Sequence, residues 1–220
     1  MLKPIQTLTA ETLAIGIREL TNLDSDLANI IHTYGNPPNW TREKGFIGLV
    51  RIVLGQQVSV AAANSIYNRL VTLVTPLTPE NLLAFDDIQL QSVGLSRQKI
   101  VYLRALASAI ATGELDLDQL EDADEPTLRT ELIKVKGIGD WTVDIYLMMA
   151  LQRADAFPKG DLGVIIAYQK LNNLPTRPTP IEIEKIAEKW RPWRAVATRI
   201  LWHYYLNRSK EEGERKKGKG

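Results

Sequence analysis

Along most of the chain apolar residues return every three or four positions with polar ones between them, the repeat of a helix with one buried face. In the run RQKIVYLRALASAI, Ile100, Leu103, Ala107 and Ile110 fall on a single face, and Ser96 stands just before it as a helix cap. Ser59 holds the same place before VAAANSIYNRL. Thr78-Pro79, Glu125-Pro126, Thr179-Pro180 and Arg191-Pro192 each put proline where a helix begins, and Gly35, Gly94 and Gly113 lie where a left-handed residue ends one. No stretch alternates apolar and polar residues between hairpin turns, so strands are not expected. The pattern predicts an all-α chain of about ten helices, and the Pro-rich NNLPTRPTP is a loop rather than a linker.

Composition narrows what such a chain can do. With 220 residues, 45% of them hydrophobic, it can bury a core in one large domain or two small ones. No run approaches the ~20 apolar residues of a membrane span, and polar residues interrupt the opening MLKPIQTLTAETLAIGIREL. A soluble intracellular protein with no membrane partner is expected. The absence of cysteine excludes disulfides, thiolate zinc sites, cysteine nucleophiles and an iron–sulfur cluster; two histidines, His32 and His203, leave little for a histidine metal centre. Chemistry must rest on carboxylates, amides, aromatics and main chain. Net charge is +1, but residues 208–220 hold six Lys/Arg against three Glu, which leaves about −2 on residues 1–207. If the body holds nucleic acid, its positive charge must be local, or main-chain N–H groups must do the work. The tail 208–220 has no apolar periodicity and is expected to be disordered.

The most informative stretch is LIKVKGIGDWTVDIYL, residues 132–147, in which two helical patterns are separated only by Lys136-Gly137-Ile138-Gly139. Two helices therefore meet in a tight hairpin. Its glycines allow main-chain conformations and close approaches that a side chain forbids. Their N–H groups, with those opening the next helix, form a nest suited to a phosphate oxygen. Ile138 is expected to turn back between the helices.

This stretch resembles the helix-hairpin-helix of DNA repair glycosylases, whose pattern is Leu-x-x-x-Pro-Gly-Ile-Gly-x-Trp-Thr-Ala. Three further blocks resemble the same superfamily in the same order. Leu54-Gly55-Gln56-Gln57-Val58-Ser59 looks like its Leu-x-Gly-Gln-x-Ser helix junction, and Gly94-Leu95-Ser96-Arg97-Gln98-Lys99 like its Gly-Leu-Ser-x-x-Lys turn. Lys189-Trp190-Arg191-Pro192-Trp193-Arg194, with Trp202 beyond it, is similar to the Trp-x-Pro-Trp-Arg block of the DNA-3-methyladenine glycosylase II branch. The four blocks cover about residues 45–205. Lys136 departs from the family proline, and the compact form, without an N-terminal β domain, is expected. The implied architecture is two helical subdomains, residues 45–155 and residues 1–44 with 156–207, with the active-site cleft between them.

The resemblance also implies site residues. Asp161, read on its own, is a helix cap before an apolar helical pattern; the family places its catalytic aspartate here, and both readings can hold at once. N–H bonds at a helix start favour an ionised carboxylate, which suits a group facing developing positive charge. Asp144 and Asp155 are read as structural or solvated. Trp141 and Trp202 fall at positions that line the pocket for a flipped base, where aromatic faces suit an electron-poor base, while Trp40, Trp190 and Trp193 are assigned to packing. Related enzymes that also nick the strand carry a lysine where this chain has Trp141, so no lyase step is expected. Gln57 takes the place of the wedge that fills the vacated stack. Lys136, Gly137, Ile138, Gly139 and Thr142 are expected at the DNA, with Arg97, Lys99 and Lys159 as further phosphate contacts. The carbonyls of Ile133, Val135 and Ile138 are implied to hold a monovalent cation, sodium or potassium, and catalysis is expected to need no cofactor.

The implied protein is a monomer acting on double-stranded DNA with damaged bases, excising alkylated purines of the 3-methyladenine and 7-methylguanine type. A glycosylase for deaminated or oxidised bases, a hairpin module that binds DNA without cutting it, and a helical interaction protein stay open as alternatives. Asp161 argues against the last two, which have no use for a carboxylate there.

Overall fold

The computed structural model describes residues 7–217. Among them run thirteen α-helices: α1 (Ala10–Leu23), α2 (Ser25–Tyr34), α3 (Gly45–Gly55), α4 (Val60–Leu73), α5 (Pro79–Ala84), α6 (Asp87–Ser92), α7 (Arg97–Ala111), α8 (Leu117–Glu121), α9 (Glu125–Ile133), α10 (Asp140–Met149), α11 (Leu162–Leu171), α12 (Pro180–Ala187) and α13 (Arg194–Lys217). The described residues form no strand, only an isolated bridge between Thr7 and Arg153. The three helices of five or six residues, α5, α6 and α8, account for the excess over the expected number. They are too short to show a helical period and are marked instead by caps at Thr78, Asp86 and Asp116. No helix among the described residues is long and apolar enough to cross a membrane.

The chain divides into two compact units, one running over Arg42–Leu151 and one drawn from both ends of the chain, up to Thr41 and from Gln152 onward. In the first, α3 is apolar apart from Arg51, and its Leu49, Val50, Val53 and Leu54 are fully buried against α4, α7 and α10. A helix with so wide an apolar surface packs as an interior one. Ser59 and Ser96 cap α4 and α7, accepting from the N–H groups of Ala62 and Lys99. Gly48 lets the incoming chain cross α3, since a Cβ there would lie 1.9 Å from the Glu43 carbonyl oxygen.

In the second unit α13 is the interior helix, with Ala195, Val196, Ala197, Ile200 and Leu201 fully buried against α11, α2 and α1. Trp190 and Trp193 pack in this core as expected, and Gly16 of α1 lies so close that a Cβ would stand 2.8 Å from the Trp193 ring. Asp24 caps α2 while accepting from the Trp190 indole N–H at 2.8 Å and pairing with Lys189 at 2.9 Å. Burial works against its charge, but those donors outweigh it and hold the Asp24 carboxyl below its ordinary value.

Three details differ from the sequence expectations. The division of the chain falls at Thr41/Arg42 and Leu151/Gln152 rather than at 44/45 and 155/156: the Arg42 N–H bonds the Met149 carbonyl, while Ala154 and Asp155 are tied to Ala195 and Arg194 of α13. Arg191-Pro192 is a cis peptide in the turn before α13 rather than a helix start. The segment expected to be disordered, 208–220, continues α13 as far as Lys217. Helix already nucleated in a packed core propagates easily through Lys, Glu and Arg, and Glu212 pairs with both Lys170 and Arg208.

Candidate active site and nucleic-acid interface

The predicted site residues fall into a group in each unit. In the Arg42–Leu151 unit the hairpin joins α9 to α10 through Lys134–Gly139. Gly137 has φ +95, and a Cβ on it would lie 2.1 Å from Tyr102 of α7, so only glycine fits. Gly139 differs: its backbone is extended (φ −113), and a Cβ would meet nothing within 4 Å. What its missing side chain provides is open space over the first turn of α10. Ile138 is buried, as expected, while Lys136 is exposed.

Gln56, which the sequence did not single out, ties this hairpin to α3. Its amide Nε2 donates to the Gly137 carbonyl at 3.0 Å and to the Thr142 hydroxyl at 2.9 Å. Thr142 is thereby turned inward and buried, with its hydroxyl taken up by Gln56. Gln57 is exposed, with a left-handed φ of +57 that non-glycine residues rarely adopt. Two adjacent glutamines at a helix end were the available signal: with the helix ending at Gly55 and the chain turning through them, their side chains part, one inward and one outward.

Arg129 latches α9 to α10. Its guanidinium reaches Glu125, Asp140 and Asp144, the last buried. Burial pushes the Asp144 carboxyl up to about 6 in spite of Arg129, because three carboxylates share one guanidinium. Burial opposes the Arg129 charge as well, yet its carboxylates hold it above its ordinary value. Asp144 is therefore structural. Lys99 is no surface phosphate contact either: its ammonium is bonded to the Leu54 carbonyl at the end of α3, and burial lowers its pKa. Lys159 pairs with Glu184 at 3.2 Å, and Arg97 is exposed.

Ile133, Val135 and Ile138 follow one another around the hairpin. Neutral carbonyl oxygens are the donor class that suits a hard monovalent cation, although the Val135 carbonyl already accepts the Ile138 N–H at 3.0 Å. No group of three or more His, Cys, Asp or Glu among the described residues could hold a metal ion.

In the other unit Asp161 caps α11 and is buried, with 8% of its surface exposed. Its Oδ1 accepts from the Val164 N–H at 2.9 Å and from the Trp202 indole N–H at 2.8 Å. The carboxylate is thus fixed in one orientation by a helix start and a second, distant helix. Gly163 leaves room for this contact, since a Cβ there would lie 3.1 Å from Asp161 Oδ1 and 3.3 Å from the Trp202 ring. Trp40, expected only to pack, lies edge-on to Trp202 with centroids 6.2 Å apart. Its carbonyl is held by the fully buried Arg199, which also donates to Ala195 and Gln152. Burial pushes the Arg199 guanidinium down to about 10. Asp155 is taken up by Arg191 and Arg194, in keeping with a structural role.

An all-α chain with a glycine hairpin opening a helix, and a buried, doubly held aspartate at another helix start, defines the helix-hairpin-helix class of DNA repair proteins. Residues 50–192 match the HhH-GPD superfamily of base excision DNA repair proteins, and the chain belongs to it. It is 33% identical over 190 residues to DNA-3-methyladenine glycosylase 1 of Schizosaccharomyces pombe, covering 83% of each chain. It is 28% identical over 225 residues to the DNA-3-methyladenine glycosylase of Bacillus subtilis, covering 91% of this chain and 74% of that one. Among solved structures, the S. pombe 3-methyladenine DNA glycosylase in complex with abasic DNA superposes with a TM-score of 0.78 at 31% identity, over 85% of this chain and 94% of that one. A Bacillus halodurans DNA-3-methyladenine glycosidase gives 0.72 at 30% identity, over 89% and 91%.

Proposed function

We propose that this chain is a monofunctional DNA glycosylase that flips alkylated bases of the 3-methyladenine and 7-methylguanine type out of the duplex and hydrolyses their N-glycosidic bond. The abasic site it leaves enters base excision repair. The observation that supports this reading is the setting of Asp161, a buried carboxylate oriented through Oδ1 by Val164 and Trp202, at the residue to which the resemblance assigns the catalytic role. Breaking the bond builds oxocarbenium character on the sugar. A fixed anion beside C1′ stabilises that charge without having to reorganise, and it can accept a proton from the attacking water. Alkylated purines carry positive charge and leave without a dedicated acid, so one carboxylate suffices.

The hairpin holds the strand. The open space at Gly139 lets a phosphate reach the N–H groups of the first turn of α10. Arg129 pairs with Asp140 and offsets part of the charge that would repel that phosphate. The carbonyls of Ile133, Val135 and Ile138 would hold a monovalent cation, sodium or potassium, which would supply further positive charge at the hairpin. Gln57, outward-facing and held at φ +57, is the wedge that fills the vacated stack. Trp141 and Trp202, each within its own unit, carry aromatic faces of the kind that suit an electron-poor base. With Trp141 in the lysine nucleophile's place, strand cleavage is not part of the reaction. The protein acts as a monomer.

Incubation with duplexes containing 3-methyladenine, 7-methylguanine, hypoxanthine or 8-oxoguanine, followed by alkali, tests each part. Wild type should release the alkylated bases, and Asp161→Asn should be slower by at least about 10²-fold. Inactivity on every duplex would sink the enzymatic reading. Strand breaks before alkali would sink the monofunctional one, and equal rates in the Asn variant would remove Asp161 from its role.

A further inference from the structure

Every residue of α11 is at least partly covered except the first. Val164, Ile165 and Ala167 are buried, whereas Leu162 has 56% of its surface exposed and stands next to Asp161, which has 8%. An exposed leucine is ordinary at a protein surface and carries no argument by itself. The residue on the other side of Asp161 makes this one informative. Gly160 is exposed too, its φ is not left-handed, and a Cβ on it would meet nothing within 4 Å. Neither conformation nor packing calls for glycine there.

The segment is nonetheless fixed. The Asp161 N–H donates to the Pro158 carbonyl at 2.8 Å, the Lys159 N–H to the Phe157 carbonyl at 3.0 Å, and the Lys159 ammonium pairs with Glu184 at 3.2 Å. Beyond Asp161 the space is filled, since a Cβ on Gly163 would lie 3.1 Å from Asp161 Oδ1 and 3.3 Å from the Trp202 ring. An immobile carboxylate is thus packed toward α13 and flanked in its own chain by bare main chain on one side and an exposed apolar side chain on the other. A nucleotide that brings C1′ to this carboxylate presents two features: a sugar–phosphate backbone, which needs clearance, and the C2′ methylene, which is apolar. Gly160 leaves clearance that any Cβ would narrow, and Leu162 offers the methylene an apolar partner. Covering that face of the sugar also limits the water that reaches the developing charge.

We propose that Gly160 and Leu162 form a sugar subsite beside Asp161, Gly160 by admitting the backbone of the extruded nucleotide and Leu162 by packing on its 2′-deoxyribose. A 2′-hydroxyl in the methylene's place would be buried against Leu162 without a hydrogen-bond partner, which is penalised. The subsite therefore accepts a deoxyribonucleotide and disfavours a ribonucleotide. This rests on Asp161 being the reacting carboxylate.

The test is fluorescence anisotropy of the full chain on two duplexes that differ at one nucleotide, a tetrahydrofuran abasic-site analogue in one and its 2′-hydroxyl counterpart in the other. No bond is cut, so the slower chemistry of ribonucleosides does not enter. Wild type should favour the deoxy duplex by at least about fivefold, the smallest factor that an unpaired buried hydroxyl entails. Leu162→Ala should bring the two affinities close together, and Leu162→Met, which keeps an apolar side chain, should preserve the preference. Gly160→Ala should weaken binding to both duplexes and slow single-turnover release of 7-methylguanine. Urea midpoints should stay near wild type, because Leu162 is mostly exposed and a methyl group on Gly160 meets nothing. Equal affinities in wild type, an unchanged preference in Leu162→Ala, or wild-type binding by Gly160→Ala would each overturn the sugar subsite, and release of 7-methylguanine by wild type would leave the glycosylase reading standing. No release by wild type, or an equal rate in Asp161→Asn, would overturn the reading of Asp161 and the subsite with it.

Discussion

Asp161 is a structural cap and, in the proposed reaction, the reactive group as well. Its Oδ1 satisfies an orphan N–H at the start of α11, and the same oxygen receives the Trp202 indole N–H. Asp24 uses the same device, a cap plus the Trp190 indole, yet adds Lys189 as a counter-ion. For Trp202 the consequence is a role besides stacking: it is a positioning residue for the carboxylate. Trp202→Phe keeps an aromatic face and removes the N–H. Losing a hydrogen bond to a charged group costs about 1.5 to 3 kcal/mol, so single-turnover excision should slow by about tenfold to a hundredfold while affinity for an abasic-site duplex changes little. Gly163→Ala should act in the same direction by crowding the pair, and equal rates in both variants would show that the contact does not matter. Asp161 and Trp202 were legible as separate positions in the sequence. Their hydrogen bond was not, because 41 residues separate them and only the packing of α13 on α11 brings them together.

At the scale of elements the hairpin was legible because Gly-Ile-Gly between two apolar patterns permits few structures, and the serine caps were legible because they act within one turn. The role of each glycine was not. Gly137 needs its freedom for φ +95 and for the Tyr102 ring, which belongs to a helix some thirty residues earlier. Gly139 needs none for folding. The two should separate experimentally. Gly137→Ala is expected to cost more than about 2 kcal/mol of stability through strain and overlap. Gly139→Ala should stay within about 1 kcal/mol of wild type while weakening affinity for an abasic-site duplex, because its new methyl group fills the space a phosphate would take. Denaturant melts and anisotropy together check the contrast; equal stability losses would contradict it. The end of α13 was misjudged for a related reason. Apolar periodicity measures burial, and a helix can run on into solvent without it once a packed segment has nucleated it.

For the whole molecule, charge is the property the sequence reports least well, since a net value conceals where opposite charges meet. Asp144 was read as structural or solvated, but its burial with Arg129, Glu125 and Asp140 sets a pH dependence of stability that no count of residues contains. In the folded state its pKa is about 6, against about 3.9 in an unfolded chain. Between those values the folded protein keeps a proton that the unfolded chain releases. The contribution of Asp144 to stability is therefore fully present below about pH 4 and is lost as pH rises through about 6. Asp24 acts oppositely, since its lowered pKa gives stability that is present at neutral pH and lost in acid. The two are separated by substitution rather than by the wild-type profile alone. Relative to Asp144→Asn, wild type should lose on the order of 2 kcal/mol between pH 4 and pH 7, read from urea midpoints at each pH. A constant gap between the two proteins across that range would mean that Asp144 titrates alike in the folded and unfolded chain. In that case Arg129 fully offsets the burial of Asp144, and the latch between α9 and α10 holds a charged pair at every pH in the range.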